Sequence, residues 1–301
     1  MKRAALCALS ALFAASPALA ECPGGLSVQV LGSGGPVSDD ARASSGYVVW
    51  IDGEARLLVD AGGGTFLRFG EAKARFSSLD AIAITHLHAD HVADLPAILK
   101  SGFFSDRDRP LPIVGPTGGG AFPGMKAYMQ TQFGTKSGAY RYLSGYLTGE
   151  NSIKTPVTEM DAKGKKPKEA FANEHLKVTS VGVAHGPVPA VGYLVEAGGK
   201  KIAFAGDQNG DNPAFAALIK DADLLVMDHA IGEDAKGVEG KLHARPSEIA
   251  ALAETSGAKR LVLSHNMARS LGPLNEHLAL IAERYKGPTD VAQDLSCFPL
   301  D

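Results

Sequence analysis

Thr85-His86-Leu87-His88-Ala89-Asp90-His91 is the stretch whose reading decides the fold. The apolar run Ala81-Ile82-Ala83-Ile84 precedes it and reads as a buried strand, and Val92 to Lys100 follows and reads as a helix. The stretch therefore sits where a strand gives way to a helix. On extended backbone, residues two apart point the same way, so His86 and His88 face one point. Asp90 and His91 lie past the strand end, where the turning chain carries them to a second point beside the first. Imidazole and carboxylate are donors that zinc accepts at catalytic sites. A polar surface loop could hold histidines too. The chain has nine histidines in 301 residues, however, and three within these few positions at ligand spacing argue for metal.

The same placement recurs along the chain. Leu176 to Ala184 reads as a strand ending at His185, Lys201 to Ala205 as one ending at Gly206-Asp207, and Arg260 to Leu263 as one ending at Ser264-His265. Alone, each of His185, Asp207 and His265 is an ordinary turn or core residue. Together, at strand ends that one sheet edge brings side by side, they converge on the first cluster. Seven ligands are too many for one zinc and suit two Zn2+ ions. His86, His88 and His185 take the first, Asp90, His91 and His265 the second, and Asp207 bridges. Two such ions hold a shared water and lower its pKa toward neutrality, with Asp90 counted among the catalytic residues as well as the ligands. Asp60 ends another strand, Leu58-Val59-Asp60, and is expected to hold the second ring nitrogen of a zinc histidine.

The remaining chain alternates strand and helix. Leu26 to Leu31, Gly46 to Asp52 and Arg56 to Asp60 read as strands, the last two joined by the hairpin signal Asp52-Gly53-Glu54. Thr65 to Ala74, Phe122 to Phe133, Pro213 to Lys220, Pro246 to Ser256 and Leu274 to Arg284 read as helices. Gly62-Gly63-Gly64 lacks the lysine and serine or threonine of a phosphate loop, so close packing near the metal is its expected use. Residues 134–172 are the least regular. Their Tyr140, Tyr142 and Tyr146 and the lysines at 163, 165, 166 and 168 could hold an anionic or aromatic substrate beside the site; for the lysines a solvated surface excursion is the preferred reading. Each half of the chain starts with hairpin strands and then alternates, which predicts an α/β fold of two facing sheets with helices outside.

Residues 1–20 read as a secretory signal peptide: basic Lys2-Arg3, an apolar core and Ala18-Leu19-Ala20 as cleavage pattern. The mature domain is then 21–301, secreted and periplasmic. With 30 basic against 33 acidic residues and a net charge of −3, there is no general basic excess for nucleic acid, though a local patch stays open. No later run is long and apolar enough to span a bilayer. Cys7 leaves with the signal peptide. Cys22 and Cys297 remain, and an oxidising compartment predicts a disulfide between them, the alternative being two unpaired thiols.

Leu58-Val59-Asp60-Ala61-Gly62, the 85–91 stretch, His185, Gly206-Asp207 and Leu263-Ser264-His265 together resemble the metallo-β-lactamase superfamily. The resemblance implies a four-layer αββα sandwich with a dinuclear zinc site at one edge. Leu31-Gly32-Ser33-Gly34-Gly35, Leu95-Pro96, Ile113-Val114-Gly115-Pro116 and Leu242 to Glu248 are similar to the ribonuclease Z branch, which also includes secreted arylsulfatase-like hydrolases. That branch carries a proton-donating histidine at the place of His243, which makes His243 the candidate general acid. It also carries a supporting glutamate where this chain reads Asp228-His229, and that assigns His229 to the donor's support. The implied function is a zinc-dependent hydrolase whose two ions share a hydroxide that attacks an ester, phosphodiester first, then sulfate ester or lactone. A tRNA 3′-processing endoribonuclease and a non-catalytic zinc-binding or sensing protein are the alternatives. The implied partner is a small anionic or ester substrate, and a homodimer is compatible.

Overall fold

Strands that are apolar on both faces must be covered on both. In β2 (Gly46–Ile51), Tyr47 and Val49 join one core while Val48 and Trp50 join another. In β11 (Leu224–Asp228), Leu224 and Val226 share the first of these cores, while Leu225 and Met227 enter a third. One core thus lies between two sheets and one lies outside each, which is the αββα layering. The computed structural model describes Cys22, residues 24–150 and residues 153–300, so the signal peptide read at 1–20 lies outside the described residues.

The first sheet holds β1 (Leu26–Gly32), β2, β3 (Glu54–Val59), β4 (Ala81–Ala83), β5 (Ile113–Pro116), β6 (Val157–Met160) and β14 (Cys297–Pro299), in the order β14-β1-β2-β3-β4-β5-β6. The second holds β7 (Lys168–Ala172), β8 (Lys177–His185), β9 (Val188–Ala197), β10 (Lys200–Phe204), β11, β12 (Leu261–Ser264) and β13 (Thr289–Val291), in the order β13-β12-β11-β10-β9-β8-β7. The helices are α1 (Thr65–Glu71), α2 (Ala89–Val92), α3 (Leu95–Gly102), α4 (Met125–Phe133), α5 (Gly145–Thr148), α6 (Pro213–Leu218), α7 (Glu239–Leu242), α8 (Pro246–Ser256), α9 (Ala268–Leu271) and α10 (Leu274–Arg284). Strands β3 to β6 pair in parallel, as do β10 to β13. Their C-terminal ends consequently line up, and that alignment places Asp60, His86, Asp207, Asp228 and His265 along one edge of the sandwich. The sheets are joined there: Val191 N donates to Thr85 O at 3.0 Å, Tyr193 Oη to Ile84 O at 2.8 Å and Tyr47 Oη to Ser264 Oγ at 2.9 Å.

Two readings change. The helix expected from Val92 to Lys100 is broken into α2 and α3. Pro96 has no N–H and its ring excludes the carbonyl four residues back, which is that of Val92, where α2 stops. Asp90 and His91 therefore ride on a short helix. The segment 134–172 is not only a surface excursion, since it supplies β6 and β7, one edge strand to each sheet. Charged residues on these edges, Glu159 in β6 and Lys168 and Glu169 in β7, suit that position because charge deters further pairing. Tyr146 is buried and donates to Leu99 O at 2.6 Å, while Tyr142 and the four lysines are exposed. Among the described residues, no helix is long and apolar enough to cross a membrane.

Cys22 and Cys297 are joined in a disulfide with Cα atoms 5.6 Å apart, spanning 275 residues. It secures the segment before β1 to β14, the edge strand beside β1. Closing so long a loop restricts the unfolded chain, so Cys297→Ser or full reduction should cost about 2–5 kcal/mol of stability. Thermal unfolding with and without reductant measures this; identical melting curves would show that the bond is not formed in solution.

Candidate metal centre

The side chains approach from six strand ends, and most are held from behind. Thr85 N and Oγ1 donate to the Asp60 carboxylate at 2.7 and 2.8 Å. The other Asp60 contact is His91 Nδ1 at 2.8 Å, which leaves His91 Nε2 bare toward the centre. Thr85 Oγ1, its proton committed to Asp60, accepts from His86 Nδ1 at 3.1 Å, so His86 Nε2 is bare as well. His185 Nδ1 donates to Leu242 O at 2.8 Å and likewise frees Nε2. Thr85 and the Leu242 carbonyl are contributors that motif reading missed. A hydroxyl next to a ligand histidine was the available signal for the first, and no sequence signal marks a backbone carbonyl.

Two quartets result: His86, His88, His185 and Asp207, and Asp90, His91, Asp207 and His265, each with donor atoms within 4.8 Å of one another. His86 Nε2 lies 3.1 Å from His88 Nδ1, and His185 Nε2 3.3 Å from that same atom. His265 Nε2 lies 3.1 Å from Asp90 Oδ2 and 3.2 Å from Asp207 Oδ2. Asp207 belongs to both quartets. All seven are buried except His88, which is partly exposed.

The donor set fits a metal pair. His91 Nε2 and Asp207 Oδ1 are buried, 3.3 Å apart, and neither has a hydrogen-bond partner. Such orphaned atoms aimed at one space suit a cation. The electrostatics agree. Burial alone would lower His265, yet Asp207 and Asp90 push it up to about 10. Burial alone would raise Asp90, yet His91 and His265 hold it down to about 2. The carboxylates thus draw positive charge into the centre, which a divalent ion supplies.

His243 Nδ1 lies 2.9 Å from Asp228 Oδ2 and 3.8 Å from Asp207 Oδ2, with its ring 5.4 Å from those of both His185 and His265. It stands over both quartets. Its supporting group is Asp228 and not His229, which corrects the sequence reading. In β11 the even positions face the inner core, so Asp228 points to the centre and His229 points away. His229 Nδ1 meets Asn266 Oδ1 and Nε2 meets His277 Nδ1, both at 2.9 Å. Burial pushes His229 down to about 4, so it is neutral. The alternation of Leu224 to Met227 already carried this signal.

Residues 55–266 match the family described as beta-lactamase superfamily domain. A ribonuclease Z of Methanosarcina acetivorans is 31% identical over 275 residues, covering 81% of this chain and 88% of that one. A ribonuclease Z of Mycobacterium bovis is 27% identical over 287 residues, covering 90% and 96%. Among solved structures, a metallo-beta-lactamase fold protein of Bacillus subtilis aligns with TM-score 0.70 at 18% identity, over 91% of this chain and 98% of that one. The short form of human tRNase Z aligns with TM-score 0.68 at 23% identity, over 91% and 99%. The two structures share the fold.

Replacing Asp60 by Asn exchanges one carboxylate oxygen for an N–H donor and removes the charge, so Thr85 N on one side, or His91 Nδ1 and Thr85 Oγ1 on the other, loses its acceptor. Metal affinity at the second quartet should fall about 10–100-fold. Competition with a chelating dye reads the change, and an unaltered affinity would show that Asp60 does not hold the ligand.

Proposed function

The chain belongs to the beta-lactamase superfamily and is a hydrolase of metallo-β-lactamase fold, and from that premise we propose that it hydrolyses phosphodiesters with two zinc ions held by the two quartets. The observation that carries the proposal is Asp207, one buried carboxylate shared by both quartets. When bound, the pair supplies a nucleophilic water of lowered pKa and positive charge opposite the phosphoryl oxygens.

The chain's own residues do the rest. Asp60, Thr85 and the Leu242 carbonyl fix the tautomers of His91, His86 and His185, so that each presents a lone pair inward. Asp228 pins His243 Nδ1 and stabilises the imidazolium, leaving Nε2 to give its proton to the leaving oxygen. Burial raises Asp228 to about 6 against the pull of His243. Its unpaired Oδ1 is buried too. A carboxylate so placed gains most from a cationic imidazole beside it.

Two readings of the substrate have support. The ribonuclease Z names of the relatives favour a tRNA 3′-processing endonuclease. The Cys22–Cys297 disulfide favours an oxidising compartment, hence export by the signal peptide and a substrate other than cytoplasmic RNA. We place the enzyme in the periplasm and keep the tRNA reaction as the second reading. Sulfate esters and lactones gain no support from the relatives. With Asp207, the Asp228–His243 pair forms a third group able to hold an ion, so turnover, and not the pair itself, separates the hydrolytic reading from a purely metal-sensing role. Cell fractionation, followed by assay of the purified protein on precursor tRNA and on a non-nucleotide phosphodiester, separates the two readings. Cytoplasmic protein that cleaves only precursor tRNA would establish the second.

Asp207→Ala should empty both quartets and abolish turnover; a variant with undiminished metal content and rate would refute the mechanism. His243→Ala should lower kcat about 10²–10⁴-fold on substrates with alkoxide leaving groups. With a p-nitrophenyl leaving group, which departs without a proton, the loss should shrink sharply. Equal losses on both would assign His243 a role other than proton donor.

A further inference from the structure

Three buried polar side chains lie behind the centre. His229, Asn266 and His277 are 0%, 0% and 3% exposed. Asn266 Nδ2 donates to Leu263 O at 3.2 Å and to Ser33 O at 3.4 Å, so its Oδ1 is the atom that meets His229 Nδ1. His229 Nδ1 must then carry the proton, and in the neutral ring Nε2 is an acceptor. The atom facing it is His277 Nδ1, which must donate. The donor order is thus set from one end. His277 gives to His229, His229 to Asn266, and Asn266 to two carbonyls.

The chain joins two turns that matter. His229 directly follows Asp228, the partner of His243, and Asn266 directly follows His265, a ligand of the second quartet. His277 lies on α10 in the outer layer. The backbone around His265 is tied, Asn266 N to Ser33 O and His229 N to Ser264 O, both at 2.8 Å, but the residue's ring is not braced from behind. Its backbone has φ 51°, in the left-handed region, and its Nδ1 is buried without a partner. Unlike His86, His91 and His185, it has no side-chain or carbonyl acceptor behind its ring. Support for the ring's direction must therefore come through the turn that carries it.

We propose that the His277–His229–Asn266 chain is that support, a positioning device that sets the His265 turn against the Asp228 turn and so keeps His265 and His243 in register over the centre. The consequence for catalysis rests on the two-metal reading, while the positioning itself does not. All three are positioning residues, acting through His265 and Asp228.

The test compares His277→Leu, which removes the donor, with His277→Asn, whose amide nitrogen can stand near the Nδ1 position. Should His277→Leu not fold, His277→Ala replaces it. Long-range ¹H–¹⁵N spectra of the histidines in metal-free protein come first. The unaltered protein should show His229 protonated at Nδ1. His277→Leu should shift the His265 and His243 signals and leave His86 and His185 in place. With zinc, measured by chelator competition, affinity for the second ion should fall on the order of tenfold. With a phosphodiester substrate, kcat should fall by a similar factor at unchanged KM, and His277→Asn should restore both. Shifts that stop at His229, or an Asn variant no better than Leu with only a lowered melting temperature in each, would overturn the proposal. An unaltered protein that takes up no zinc would sink the two-metal reading instead, and the metal-free spectra would still decide this one.

Discussion

Asp207 is buried among five imidazoles, those of His86, His91, His185, His243 and His265, at 3.2–3.9 Å from their nearest nitrogens. A carboxylate taken out of water is tolerable only where positive charge or protons surround it. Its neighbours provide this, and hold Asp207 well below the usual carboxylate range despite its burial. Much of the surrounding structure serves to bring those imidazoles to it. They arrive from the loop after β4 and from α2, from the end of β8, and from the loops after β11 and β12, and the aligned ends of the parallel strands bring them together.

That convergence has a backbone cost. Asp60 and His265 both sit at positive φ, 57° and 51°, where side chains other than glycine are strained. Such residues cost on the order of 1–3 kcal/mol each and persist where the surroundings over-determine them. At Asp60 the surroundings are Thr85 and His91. At His265 they include Gly35, where an added Cβ would lie 2.7 Å from the imidazole ring. Gly62 serves a related purpose, since a Cβ there would lie 2.0 Å from Asp90 O. Gly35 and Gly62 are therefore used for close approach, whereas a Cβ at Gly63 would meet nothing within 4 Å.

The two histidines that adjoin each other in space but not in sequence, His229 and His277, show how the layers cooperate. The inner face of β11 carries chemistry and its outer face carries support, and consecutive residues are divided between them. One strand end thus aims a carboxylate at the centre and an imidazole at the helix behind it. The same division just past β4 separates Ile84, which packs outward, from Thr85, which braces Asp60.

From the sequence alone, the residues that converge at the centre and the fold class could be read, because both leave local marks. His-x-His-x-Asp-His after an apolar run is a pattern of neighbours, and so is each apolar strand that stops at a histidine or aspartate. The paired cysteines and the alternation of strand and helix were legible on the same terms. Residues 134–172 were not, because short charged edge strands carry little periodicity. Nor was the division of labour between Asp228 and His229 recognised, although strand parity implied it. What only the tertiary structure decided is which groups face each other across long separations: Asp90 with His265, His185 with the Leu242 carbonyl, Asp60 with His91, and His229 with His277. Those pairings depend on strand order, register and the direction of each side chain at a strand end. They are properties of the packed sheets, and no short stretch of the chain contains them.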